Sequence, residues 1–175
     1  MVRQEVNPED LAQLAAIFRE LGADEPERYA NSQLAEGIPQ LALFVFLKQA
    51  WSAIVDEQDT SWIESYINWG KEERVSKTFW SNLSHSLELM REKGVEDADI
   101  ATVVQTMQYL LLGSICYQLD DCASSSINAQ GEWRVRWKLF QVDDEGKPIE
   151  DLGGLHEYAD SMDPTGREGG FRNDV

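Results

Sequence analysis

Ile100-Ala-Thr-Val-Val-Gln-Thr-Met-Gln-Tyr-Leu-Leu-Leu-Gly-Ser-Ile-Cys-Tyr-Gln-Leu119 contains no charged residue. Ile100, Val103, Val104, Met107, Leu110, Leu111, Ile115 and Leu119 recur at helical spacing and form one continuous apolar stripe. Ala101, Leu112 and Cys116 add small or apolar groups on its flanks. A helix with so little polar surface is expected to be mostly covered by others. The chain is therefore expected to be mainly α: a bundle of about five to six helices around a central helix at about 98–120.

The remaining helices are read outward from that one. Asn7-Pro8-Glu9-Asp10 supplies an N-cap, a proline at the first helical position and acids in the first turn. Leu11, Leu14, Ala15, Phe18 and Leu21 follow at helical spacing until Gly22. Asp24-Glu25-Pro26-Glu27 opens a short second helix that Gly37 closes. Ile38-Pro39 opens a third, apolar almost all round to Phe46 and a natural packing partner for 100–119. Ser61-Trp-Ile-Glu64 has capping-box spacing, and Trp62, Tyr66 and Trp69 lie i, i+4, i+7 on the helix it starts. Gly70 is either the end of that helix or a weak point in a longer one. The helical period runs on to a Gly94 cap, and Asp97 is the expected N-cap of the central helix.

After Asp120 the composition changes. Trp133-Arg-Val-Arg-Trp-Lys-Leu-Phe-Gln-Val142 alternates with period two, which predicts a strand. Asp143-Asp-Glu-Gly146 is a turn with glycine where positive φ is needed, and Lys147-Pro148-Ile149 returns as a short edge strand. These segments predict a small C-terminal β-hairpin. Two regions follow, a helical part over 1–121 and a hairpin and loop segment over 122–175 packed on it as one structural domain.

The 175 residues carry 32 acidic and 15 basic side chains, a net charge of −17. The acidity is distributed: −7 over 1–60 (4 basic, 11 acidic), −3 over 61–119 (5 and 8) and −7 over 120–175 (6 and 13). Phosphates and anionic membranes would be repelled, which disfavours nonspecific nucleic-acid binding and membrane adhesion. A basic protein partner is favoured. Gln105, Gln108 and Gln118 argue against a bilayer span at 100–119. Cys116 and Cys122 lie too far apart along a helix to bridge. With no signal-like N-terminus, they indicate a reducing, cytoplasmic location.

No nucleophile elbow, Walker loop or dinucleotide fingerprint is present, and neither a metal nor a cofactor is expected. Three functional readings remain. The preferred one is a non-enzymatic acidic interaction protein of a bacterial type that binds, and inhibits or neutralises, a more basic partner as small immunity proteins do. Its candidate contacts are Asp56, Glu57, Asp59, Trp62, Tyr66, Asp143, Asp144 and Glu145. The alternative is a small enzyme or ligand-binding domain whose site joins the C-terminal segment to the helices through Asp120, Asp121, Arg134, Arg136, His156 and Glu157. The third is a structural subunit of a larger assembly, a homo-oligomer included, with the apolar helix at 39–55 as the interface if the monomer leaves it uncovered. Asp120-Asp121 is the one place where the central helix breaks a local rule, since acids at a helix C-terminus oppose its dipole.

Overall fold

The computed structural model describes residues 6–75, 78–121 and 135–163. Seven α-helices and one two-stranded antiparallel hairpin are found among them, in agreement with a helical bundle bearing a small β-hairpin. The helices are α1 (Pro8–Glu20), α2 (Pro26–Glu36), α3 (Gln40–Ser52), α4 (Ser61–Gly70), α5 (Phe79–Glu92), α6 (Asp97–Asp120) and α7 (Leu155–Tyr158). The strands are β1 (Phe140–Val142) and β2 (Pro148–Asp151). Residues 1–51 with 112–175 form one compact unit and 52–111 a second, so α6 contributes to both. The boundary expected near residue 121 falls inside the first unit.

In the first unit, Asn7 Oδ1 accepts from the Glu9 amide at 3.0 Å and Pro8 opens α1. α1 and α2 close on each other through Ala15, Phe18 and Ala30, joined by Phe44 of α3. Phe18 stacks on Tyr29 at 5.4 Å and meets Phe44 edge-on at 5.6 Å. α3 buries Leu43, Leu47 and Trp51, and the C-terminal segment adds Leu152, Leu155 and Ala159. The Trp51 indole N–H donates to the Ala159 carbonyl at 2.8 Å in a buried setting. Trp51→Phe removes that donor and leaves the carbonyl without it. We expect a loss of about 1–3 kcal/mol, read as a lower denaturation midpoint at unchanged slope.

The hairpin is shorter than the period-two pattern predicts. Phe140 pairs with Asp151, Gln141 with Glu150 and Val142 with Pro148, with an irregularity between Gln141 and Val142. Residues 135–139 are described but not in a strand, and 133–134 lie outside the described residues. The return strand has only four residues and starts at a proline, so among the described residues a ten-residue strand has nothing further to pair with. The turn is built as expected: Gly146 has φ 80° and Asp143 Oδ1 accepts from the Glu145 and Lys147 amides.

In the second unit, α4 and α5 pack around Ile63, Ile67 and Leu87, with Ile100 of α6 completing the cluster. Ser84 Oγ donates to the Ile67 carbonyl at 2.8 Å. Arg91 forks onto Asp97 at 2.8 and 2.9 Å and also reaches Glu64 at 2.7 Å. Two expected caps take other roles. Asp97 is the first residue of α6, its carboxyl held below the usual range by Arg91. Thr60 precedes α4 without a side-chain cap bond, and the Ser61 amide donates to Asp59 instead of entering a capping box.

α6 forms where the sequence places it, but its packing is turned over. Val103, Met107, Leu110 and Leu111 are 54–63% exposed, and Ile115 and Tyr117 also face outward. Of the eight stripe residues only Ile100 is buried, with Val104 and Leu119 half-buried. The inward line is Ala101, Gln105, Leu112 and Cys116. Small groups let neighbouring backbones come close, and a glutamine on this side has work to do: Gln108 Oε1 accepts the Val55 amide at 2.8 Å. A helix that is apolar nearly all round gives periodicity little contrast between its faces, so the stripe of largest side chains was not the stripe that is covered.

Candidate functional site

α6 ends at Asp120, and the chain reaches α7 through Gly153-Gly154, where Gly154 takes φ 85°. That left-handed residue turns the backbone so that the amides of Leu155 and His156 point at the end of α6. Asp120 accepts both, Leu155 N on Oδ1 at 3.0 Å and His156 N on Oδ2 at 2.8 Å. The His156 ring closes the arrangement, its Nδ1 lying 2.5 Å from Asp120 Oδ2. The Asp120 side chain is 7% exposed and that of His156 41%. The Tyr117 ring, one turn back on α6, meets the imidazole edge-on at 5.5 Å.

These contacts answer the rule broken at the end of α6. A carboxylate there is disfavoured by its own helix, but it gathers donors from three groups of the C-terminal segment. With the carboxylate as acceptor, Nδ1 carries the proton and the imidazole is oriented as in a carboxylate–histidine pair. Such a ring can take or give a proton, or offer its other nitrogen to a ligand.

The expected ligand set is brought together only in part. Asp120 and His156 meet. Glu157 and Arg136 are exposed on the same unit, Asp121 is half-buried, and Arg134 lies outside the described residues. Lys138, two residues after Arg136, pairs with Asp151 of the hairpin. Among the described residues no group of three or more His, Cys, Asp or Glu is placed to hold a metal ion.

Cys116, one turn before Asp120, is fully buried. Burial and then the Asp120 charge push its thiol up to about 11. At pH 8 only about one thiol in a thousand would be ionised. Native alkylation of Cys116, followed by peptide mapping to separate it from Cys122, should run about two orders of magnitude slower than in denaturant.

The expected partner-binding residues are divided between units. Asp56, Glu57, Asp59, Trp62 and Tyr66 belong to the second, and Asp143, Asp144 and Glu145 to the first. Glu57 is 7% exposed, so its charge is not on offer to a partner; its place in the acidic 56–59 loop gave no hint of burial. Asp56, Asp59 and Asp143 each accept backbone amides within their own turns. Asp144 and Glu145 remain exposed at the hairpin tip. Trp62 and Tyr66 are half-buried on the Ile63–Ile67 cluster, and Tyr66 stacks flat on Trp80 at 5.6 Å.

The residues that sequence reasoning missed are the outward ones of α6, together with Phe79, 72% exposed. The available signal was the second line through α6, in which Ala101, Gln105, Gln108, Leu112 and Cys116 recur at helical spacing as small or hydrogen-bonding groups. No protein-family model matches the chain, and comparison with curated proteins and with solved structures finds no match.

Proposed function

We propose that this chain is an acidic interaction protein that binds a more basic protein partner and acts by occupying it, inhibiting or neutralising it in the manner of small acidic immunity proteins. The observation that carries this reading is the outward face of α6. Four large apolar side chains more than half exposed on one helix form a strip that a partner's apolar face can cover. The net charge of −17 favours a partner of opposite sign and speeds encounter with it. A cytoplasmic setting fits Cys116, a free buried cysteine.

Affinity capture with the intact chain at low and high salt tests the reading. Basic proteins retained at low salt and released at high salt are the expected result. Their absence at low salt counts against it.

A second reading has its own observation. An imidazole held 2.5 Å from a nearly buried carboxylate, on a side chain still 41% exposed, is suited to a small ligand or to proton transfer. A thermal-shift screen with divalent metals and nucleotides tests it. A ligand at 100-fold over its Kd should stabilise by about 2.7 kcal/mol. Silence across the panel, with His156→Ala without effect on any activity, removes it.

A further inference from the structure

We infer that the outward face of α6 is the docking surface for a basic amphipathic helix of the partner, a proposal that rests on the interaction reading above and names its surface and occupant. Val103, Met107, Leu110, Leu111 and Ile115 stand at i, i+4, i+7, i+8 and i+12, the spacing by which one helix grips the apolar face of another. Gly113 and Ser114 sit within this stretch, and a Cβ built on Gly113 meets nothing within 4 Å, so a neighbouring backbone can come close.

The charges choose the occupant. α6 carries Asp97, Asp99 and Asp120 and no Lys, Arg or His. Asp99, exposed one turn before Val103, is in line with the apolar face, and exposed Glu96 precedes it by a further turn. A second copy would bring the same carboxylates and another −17 to the contact. The area argues the same way. From Val103 to Tyr117 the stripe is about 21 Å long and about 10 Å wide. That is about 200 Å² on each side, well short of the roughly 800 Å² per partner of a standard stable interface. A single helix with leucine-like residues at matching spacing and Lys or Arg at the end that meets Asp99 satisfies both constraints. By length and composition alone α6 is also a candidate membrane span, so an uncharged bilayer is the competing apolar phase.

The test measures anisotropy of two labelled synthetic amphipathic helices of identical apolar pattern, one Lys-flanked and one Glu-flanked, against the intact chain. The Lys-flanked helix should bind, and the Glu-flanked one about tenfold more weakly or not at all at low salt. Leu110→Glu, at a position that is 54% exposed, should abolish binding while circular dichroism shows the helices intact. Asp99→Lys should weaken the Lys-flanked helix and strengthen the Glu-flanked one, a reversal that a structural role would not produce.

Equal binding of both helices, binding that survives Leu110→Glu, or no binding would overturn the proposal. A Leu110-dependent dimer in sedimentation would assign the face to a second copy, and Leu110-dependent uptake on phosphatidylcholine vesicles to a bilayer; either also overturns it. Salt-sensitive capture of a basic protein that is indifferent to Leu110→Glu would sink this docking mode and leave the interaction reading standing.

Discussion

Gly70→Ala is expected to destabilise the second unit by about 2–3 kcal/mol, although alanine is the better helix former. A Cβ at residue 70 would lie 2.2 Å from Ser84 Cβ and 2.7 Å from the Trp80 carbonyl oxygen. Neither is the far end of a flexible side chain. One is fixed to the α5 backbone and the other is part of it, so relief requires α4 and α5 to separate. Separation would pull Ile63 and Ile67 from Leu87 and stretch the Ser84–Ile67 hydrogen bond. Overpacking of this kind costs about 1–3 kcal/mol and a hydrogen bond about 1. The propensity gain of up to about 1 kcal/mol for replacing glycine does not cover that loss at the end of a helix. Amide exchange over α4 and α5 checks the prediction, with the midpoint of chemical unfolding as a second measure. Gly70→Ala combined with Ser84→Gly should lose less than the sum of the two single variants, because the shorter contact is then absent while the Trp80 carbonyl remains. Additive losses in the double variant would show that the contact is not the cause.

The same glycine shows where sequence legibility ends. Punctuation by Asn7-Pro8, Gly22, Gly37, Gly94 and Gly146 was readable because each acts within one turn of chain, and the structure places a helix end or turn at each. Gly70 was ambiguous because its reason is Ser84, on the next helix. The helix at 97–120 was readable from its uninterrupted apolar character, but that same uniformity hid which face is covered. The strand was overextended over 135–139 because alternation reports what a strand could pair with, and among the described residues β2 alone supplies the pairing.

For the site, the rule broken by Asp120 was a correct pointer. The expected set joined Asp120 and Asp121 to Arg134, Arg136, His156 and Glu157. Asp120 meets His156 of that set and also takes two backbone amides, an arrangement that depends on how Gly154 turns the chain. Backbone donors leave no mark in a sequence.

Asp120→Ala should cost the first unit about 2–4 kcal/mol. The substitution leaves the amides of Leu155 and His156 without their acceptor, and an unmet donor beside the fully buried Leu155 is costly. It also frees the imidazole, and α7 loses its tie to α6. Release of α7 would draw Leu155 and Ala159 out of the core and break the Trp51–Ala159 bond, so Trp51 fluorescence and exchange at Leu155 should report the change together. Asp120→Asn should fall between, since one carboxamide oxygen can keep one amide but not both. It also removes the second of the two causes that raise the Cys116 thiol, so that thiol should titrate lower while burial still holds it above the usual range.

His156→Ala separates structure from chemistry. It deletes one of the three donors to Asp120 and a half-exposed ring, so it should cost no more than about 1.5 kcal/mol. A ligand response lost in His156→Ala but kept in a variant of equal stability elsewhere would place that response on the imidazole. If Asp120→Ala is no less stable than the parent, the pair is not a structural clasp and does not hold α7 to α6.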